Sequence, residues 1–240
     1  MRSILTAAKF LTPFPWIRSF SATPERSDNP ATFLPVAGFC LGLILALLNW
    51  LSEPYLESEI LGVVLSTILI LMTRGQFLDG LRKTFGHLDS KGSEQGIMNA
   101  TGDSRAEVFG FLAVMVIVLL KSRAIEVMGE ARSQGLLLAP LFARWAMVVL
   151  AYSSKSGGTD RITRTNVRGA ALLLSTIFTL TLVVLFAGRL GLWIALWVSL
   201  FALAGRLYLH RRFGGVGEDG FGAVAEISET FALLLFTSFF

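Results

Sequence analysis

Long apolar runs constrain this chain more than any other feature. Seven stretches, 33–52, 58–78, 107–125, 135–152, 170–187, 190–208 and 223–240, each approach the about 20 mostly apolar residues that cross a bilayer. The end of the first run and the tight "AGRLG" connection at 187–191 leave six to eight spans open. Only 16% of the 240 residues are charged and 53% are apolar, whereas soluble domains carry about 25% charge. The expected fold is therefore all-α, a polytopic membrane helical bundle of about seven transmembrane helices. Nineteen Phe and five Trp suit lipid contact and interfacial anchoring. No linker, low-complexity tract or internal repeat divides the chain, so residues 1–240 are read as one domain.

The basic residues orient the bundle. A pI near 9.6 raises the question of nucleic acid, but cytoplasmic loops of membrane proteins collect Lys and Arg for topological reasons, and no nucleic-acid partner is expected. Basic residues crowd 1–32, 79–105, 153–169 and 206–222, while the loop "SEPYLESE" has none. Seven spans put these segments on one side, with the N-terminus cytoplasmic and the C-terminus outside. Lys121 and Arg123, at the end of the third run, fit this pattern poorly. The opening "MRSILTAAKFLTPFPW" lacks the apolar core and cleavage site of a signal peptide. The single cysteine, Cys40, excludes an internal disulfide.

Ionisable groups inside apolar runs mark candidate sites, because each costs a few kcal/mol there (~3 on insertion scales). Arg144 lies in the middle of "LLLAPLFARWAMVVLAY". It is either a structural ion-pair partner or a bidentate clamp for an anion such as phosphate. Glu226 and Glu229 share a helical face at i, i+3, seven and ten residues after Asp219. Two buried carboxylates repel unless a cation or proton lies between them. Mg²⁺ with substrate phosphate is one solution, and pairing to Arg144 or Arg74 is the other. In "GDSRAEVFG", Asp103 or Ser104 is expected to cap the third span, with Glu107 completing a capping box. In "GQFLDGLRKTFGHLDS", Asp79, Lys83 and Gly86 fall on one helical face at i, i+4 and i+7. Gly38 and Gly42 form a GxxxG read as close helix packing. His87 and His210 have no metal-ligand spacing. "GVGEDG" formally fits a dinucleotide fingerprint, but no βαβ unit surrounds it.

Several of these stretches resemble, in order, motifs of the cobalamin synthase family, adenosylcobinamide-GDP ribazoletransferase. They are "KFLTPFPW", "FLPVAGFCLG", "FLDGL", "DSRAEVFG", "APLFARWAMVVL" and "GGVGEDGFGAVAEISE". The resemblance implies an inner-membrane enzyme whose active face is cytoplasmic. Its substrates would be adenosylcobinamide-GDP and α-ribazole or α-ribazole 5′-phosphate, with Mg²⁺ neutralising the diphosphate. Carried over by position, Asp79, Asp103, Asp219, Glu226 and Glu229 are candidate metal ligands, with Asp79, Asp103 and Glu226 also candidate catalytic residues. Ser104, Arg105 and Arg144 match positions expected to hold substrate phosphate, and Lys83 is a further candidate for substrate binding.

The chain departs from the family pattern where that pattern reads Asp-Gly-Leu-Ala-Asp-Thr-x-Asp-Gly. Its second aspartate is Lys83 here, its third is Gly86, and the preceding histidine is Phe77. A short insertion, around "NATG", precedes Asp103, and Glu107 and Glu218 replace family glycines. Lys83 supplies positive charge but cannot bridge two oxygens as a metal does, so a slower reaction is expected. Two other readings stay open. One is a catalytically weakened relative that binds a corrinoid or nucleotide. The other is a small cation-coupled transporter, disfavoured because the polar residues gather at one face instead of lining a path.

Overall fold

The computed structural model describes residues 30–89, 104–152 and 169–239. Seven α-helices run through them: α1 (Leu34–Ser52), α2 (Ser58–Met72), α3 (Gln76–Asp89), α4 (Ser104–Val127), α5 (Arg132–Ala151), α6 (Gly169–Phe213) and α7 (Glu218–Phe239). Short 3-10 turns, Pro30–Phe33 and Gly129–Ala131, lead into α1 and α5. In lipid a backbone must satisfy its own polar groups, and apolar segments without β-strand partners do so as helices.

By length and apolar character α1, α4, α5, α6 and α7 can each cross a membrane. At 45 residues α6 would span about 68 Å if straight, roughly twice the hydrocarbon core. It is broken at Gly188, whose φ of 55° and ψ of −139° are non-helical. The arms double back on each other. Thr176, on the first arm, accepts a hydrogen bond from Trp145 Nε1 at 3.0 Å near the end of α5. Leu209, on the second, packs against Gly220 at the start of α7. Because α5 and α7 run antiparallel, joining Arg144 to Glu229 and Gly135 to Phe236, both ends of α6 lie at the same end of the bundle. The connection expected at 187–191 is thus a single-residue break.

The run expected to span over 58–78 is not one straight helix. Helix α2 stops at Met72, and its 15 residues reach only about 22 Å. Arg74 (φ 54°) and Gly75 (φ 65°) then adopt left-handed backbone, which ends a right-handed helix. The next helix, α3, leaves at 88° to α2. It is amphipathic and packs alongside the first half of α4 and the start of α7, so the run is a pair of helices joined at a sharp bend.

Small residues set the helix crossings. A Cβ on Gly38 or Gly42 would run into the α5 backbone at Pro140 and Leu137, so the GxxxG of α1 does pack α1 tightly on α5. Helix α3 is held the same way. A Cβ on Gly80 would come within 2.8 Å of the Asp219 carbonyl oxygen, and one on Gly222 within 3.1 Å of the Gly80 Cα. Gly110 of α4 sits against the Arg82 backbone. These approaches bring α3 and the starts of α4 and α7 to one end.

Helix α5 is the centre of the bundle, buried along nearly its whole length. The perimeter is apolar and exposed, with Leu119, Leu173, Leu185 and Leu207 among the residues facing outward. Such a surface suits lipid. Trp50, Tyr55 and Trp193 are exposed near one end and Tyr152 and Tyr208 near the other, as expected of the aromatic belts at the two membrane–water interfaces.

Candidate functional site

At the end where α3 lies, carboxylates from two helices meet one amine. Asp79 opens the first turn of α3, and its Oδ2 accepts from Lys83 Nζ at 2.7 Å, the i, i+4 contact expected of a helix. Arg82 Nη2 donates to Asp79 Oδ1 at 3.1 Å. The Gly80–Gly222 crossing carries Asp219, on α7, to 3.7 Å from the same Lys83 Nζ. These side chains are a little under half exposed. They form the mouth of the site.

Deeper in the bundle lies a second, buried charge cluster. Lys121 Nζ donates to Glu226 Oε2 and to Glu229 Oε1, each at 2.6 Å. Arg144 Nη1 donates to Glu229 Oε2, also at 2.6 Å. Exposure of the four side chains is 0–3%. With two cations and two carboxylates the cluster is neutral, the condition under which charges persist in a low-dielectric interior. The Phe77 ring of α3 covers Arg144, with the guanidinium carbon 4.9 Å from the ring centroid. Arg144 Nε and Nη2 are buried and have no hydrogen-bond partner among the described residues. Together they form the edge with which a guanidinium grips a phosphate or carboxylate through two parallel bonds.

The candidate residues thus fall into groups. Asp79, Lys83 and Asp219 converge at the mouth. Arg144, Glu226 and Glu229 converge below it, and Phe77 lies between the two through its contact with Arg144. Ser104 opens α4, with Arg105 exposed on its first turn and Glu107 exposed beside it. Asp103 lies outside the described residues. The aspartate face of α3 has a packing explanation in part: a Cβ on Gly86 would stand 3.0 Å from the Ala106 carbonyl oxygen. Glycine there lets α4 start against α3.

The two places differ in what they offer a cation such as magnesium. Among the described residues, no group of three or more His, Cys, Asp and Glu side chains is placed to hold a metal ion. The Glu226–Glu229 pair already holds Lys121 between its oxygens. At the mouth, the Asp79 and Asp219 oxygens turn toward one cation position, now taken by an amine on a half-exposed side chain that can swing away. Carboxylate oxygens shared with substrate phosphate are the ligands Mg²⁺ prefers.

Two residues escaped the sequence reading. Lys121 stands out in the sequence only as a poor fit to the charge asymmetry, although the rule that singles out Arg144 applies to it equally. Arg132 is also buried. It donates to the Ile125 carbonyl at 2.9 Å, the Glu126 carbonyl at 3.1 Å and Ser58 Oγ at 2.9 Å, closing the end of α4. Arg123 pairs with Glu126. Of the two basic groups that fit the charge asymmetry poorly, Arg123 is thus held by a neighbour on its own helix and Lys121 by the carboxylates of α7.

A multi-pass helical membrane protein with a charged mouth at one end, set above a neutral buried ion-pair cluster, is the class that fold and site define. The chain matches the family described as Cobalamin-5-phosphate synthase over residues 3–237, and it belongs to that family. It is 29% identical over 237 residues to the adenosylcobinamide-GDP ribazoletransferase of Geotalea daltonii, covering 98% of this chain and 96% of the relative. To the protein of the same name from Roseiflexus sp. (strain RS-1) it is 31% identical over 235 residues, covering 96% and 87%. No solved structure matches it.

Proposed function

We propose that this chain is an adenosylcobinamide-GDP ribazoletransferase that completes the nucleotide loop in cobalamin biosynthesis. A hydroxyl of α-ribazole, or of its 5′-phosphate, attacks the phosphate attached to cobinamide. The new P–O bond forms as the P–O bond to GMP breaks, the hydroxyl proton is released, and adenosylcobalamin or its 5′-phosphate results. The observation that carries this reading is the family match along almost the whole chain, motif departures included.

The arrangement of charges supports it. Arg82 and Lys83 hold positive charge at the mouth, oriented by Asp79, and such charge attracts and positions a diphosphate. Ser104 and Arg105, at the start of α4, are assigned to the substrate phosphates. Arg144 offers its Nε–Nη2 edge to a phosphate once Phe77 moves from over it. Glu229 serves from beneath by holding Arg144, and Glu226 shares Lys121 with it. Mg²⁺, bound by Asp79 and Asp219 with Asp103, would neutralise charge on the diphosphate and so favour departure of GMP. We place the mouth on the cytoplasmic side of the cell inner membrane, where the basic loops lie.

The test uses purified protein in lipid nanodiscs with Mg²⁺, adenosylcobinamide-GDP and α-ribazole 5′-phosphate. Release of GMP with matching formation of adenosylcobalamin 5′-phosphate is expected. A second reading, a relative that binds these ligands and turns them over poorly, is favoured by Lys83 standing between Asp79 and Asp219. Substrate retention without GMP release selects that reading. No binding and no release defeats both.

A further inference from the structure

We infer that Lys121 is the built-in cation of the buried Glu226–Glu229 pair, occupying the position a divalent ion would take, and that the pair binds no metal while Lys121 is present. This goes beyond the transfer reaction and does not depend on it.

The geometry is that of a shared ion. Glu226 and Glu229 project from one face of α7 at i, i+3, and one oxygen of each lies 2.6 Å from the same Nζ, delivered by α4 from the opposite side. A divalent ion bridging those two oxygens would sit about 2.0–2.6 Å from each. That is the place the ammonium holds. A surface lysine would yield it by turning into water, but the Lys121 side chain is 1% exposed and has no such exit. Charge points the same way. Without Lys121 the cluster would carry two carboxylates against one guanidinium, a net negative charge in the membrane interior.

The ammonium also acts at a distance. Glu229 accepts from Lys121 through Oε1 and from Arg144 through Oε2, so one carboxylate ties the two cations together. Lys121 is accordingly a positioning residue. It fixes Glu229, which holds Nη1 of Arg144 and leaves the Nε–Nη2 edge without a partner among the described residues.

The experiment counts bound Mn²⁺ by electron paramagnetic resonance and records melting in EDTA, for the wild-type chain, Lys121→Met and Lys121→Met/Glu226→Gln in nanodiscs. Lys121→Met is expected to melt below wild type in EDTA and to gain one Mn²⁺ per chain that raises its melting temperature. The double variant, neutral again, should regain much of the lost stability and give up the extra ion. Recovery of folded protein only when Glu226→Gln is added would also support the assignment. A Lys121→Met chain that gains no Mn²⁺ would overturn it. If neither Lys121 variant folds, wild type and Glu226→Gln decide the matter: equal Mn²⁺ counts support the inference, and one ion fewer in Glu226→Gln refutes it.

Discussion

At the scale of single residues, two clusters of similar composition differ because one is dry. Breaking a buried ion pair leaves an uncompensated charge and costs about 3–5 kcal/mol, while exposed pairs contribute about 0–1 kcal/mol. Arg144→Leu is therefore expected to lower the unfolding free energy by about 3–5 kcal/mol, read by denaturant or thermal unfolding in detergent. Lys83→Met, at a side chain 43% exposed, should change it by less than about 1 kcal/mol in the same assay. Arg144→Lys tests a different property. It keeps the charge beside Glu229 but removes the planar fork, so GMP release should fall at least about tenfold, equivalent to ~1.4 kcal/mol of barrier. Retained GMP release in Arg144→Lys would rule out a bidentate role.

Single helices matter here through the places where two backbones touch. Gly38 and Gly42 have no room for side chains against α5. Gly42→Leu should push α1 away and cost on the order of 1–3 kcal/mol from overpacking, seen as lost folded protein in size-exclusion profiles. Gly80→Val acts at the crossing of α3 with α7, where even a Cβ lies 2.8 Å from the Asp219 carbonyl oxygen. Most of the bundle lies away from that crossing. The variant is expected to fold, to separate Asp79 from Asp219, and to lose GMP release. Unchanged turnover would mean that the mouth does not need both carboxylates in register. GxxxG was legible in the sequence as a packing motif because its spacing is local. The Gly80–Gly222 contact was not, since its halves are far apart in the chain.

For the molecule as a whole, the paired folding-back of α6 and the short α2 determine which loops share a side. All the elements of the mouth gather at one end, opposite the break at Gly188. Orientation is testable with a single-cysteine design, because Cys40 is the sole native thiol. In a Cys40→Ser background, Glu57→Cys should react with an impermeant thiol reagent added to intact cells, and Gly217→Cys should react only in inverted vesicles. The reverse pattern would place the charged mouth outside, where a cytoplasmic nucleotide substrate could not reach it.

The apolar runs, their approximate ends, the membrane class and the basic asymmetry were fixed by local properties of the chain: hydropathy, length and charge count. Asp79 with Lys83 was equally local, a helical i, i+4 contact. Only the tertiary structure decided that Lys121 belongs to Glu226 and Glu229, that Arg132 closes α4, and that the second run bends at Arg74 and Gly75. Pairing between helices depends on which faces meet and how deep each residue lies. A one-dimensional pattern gives the face of each helix, but not its neighbour.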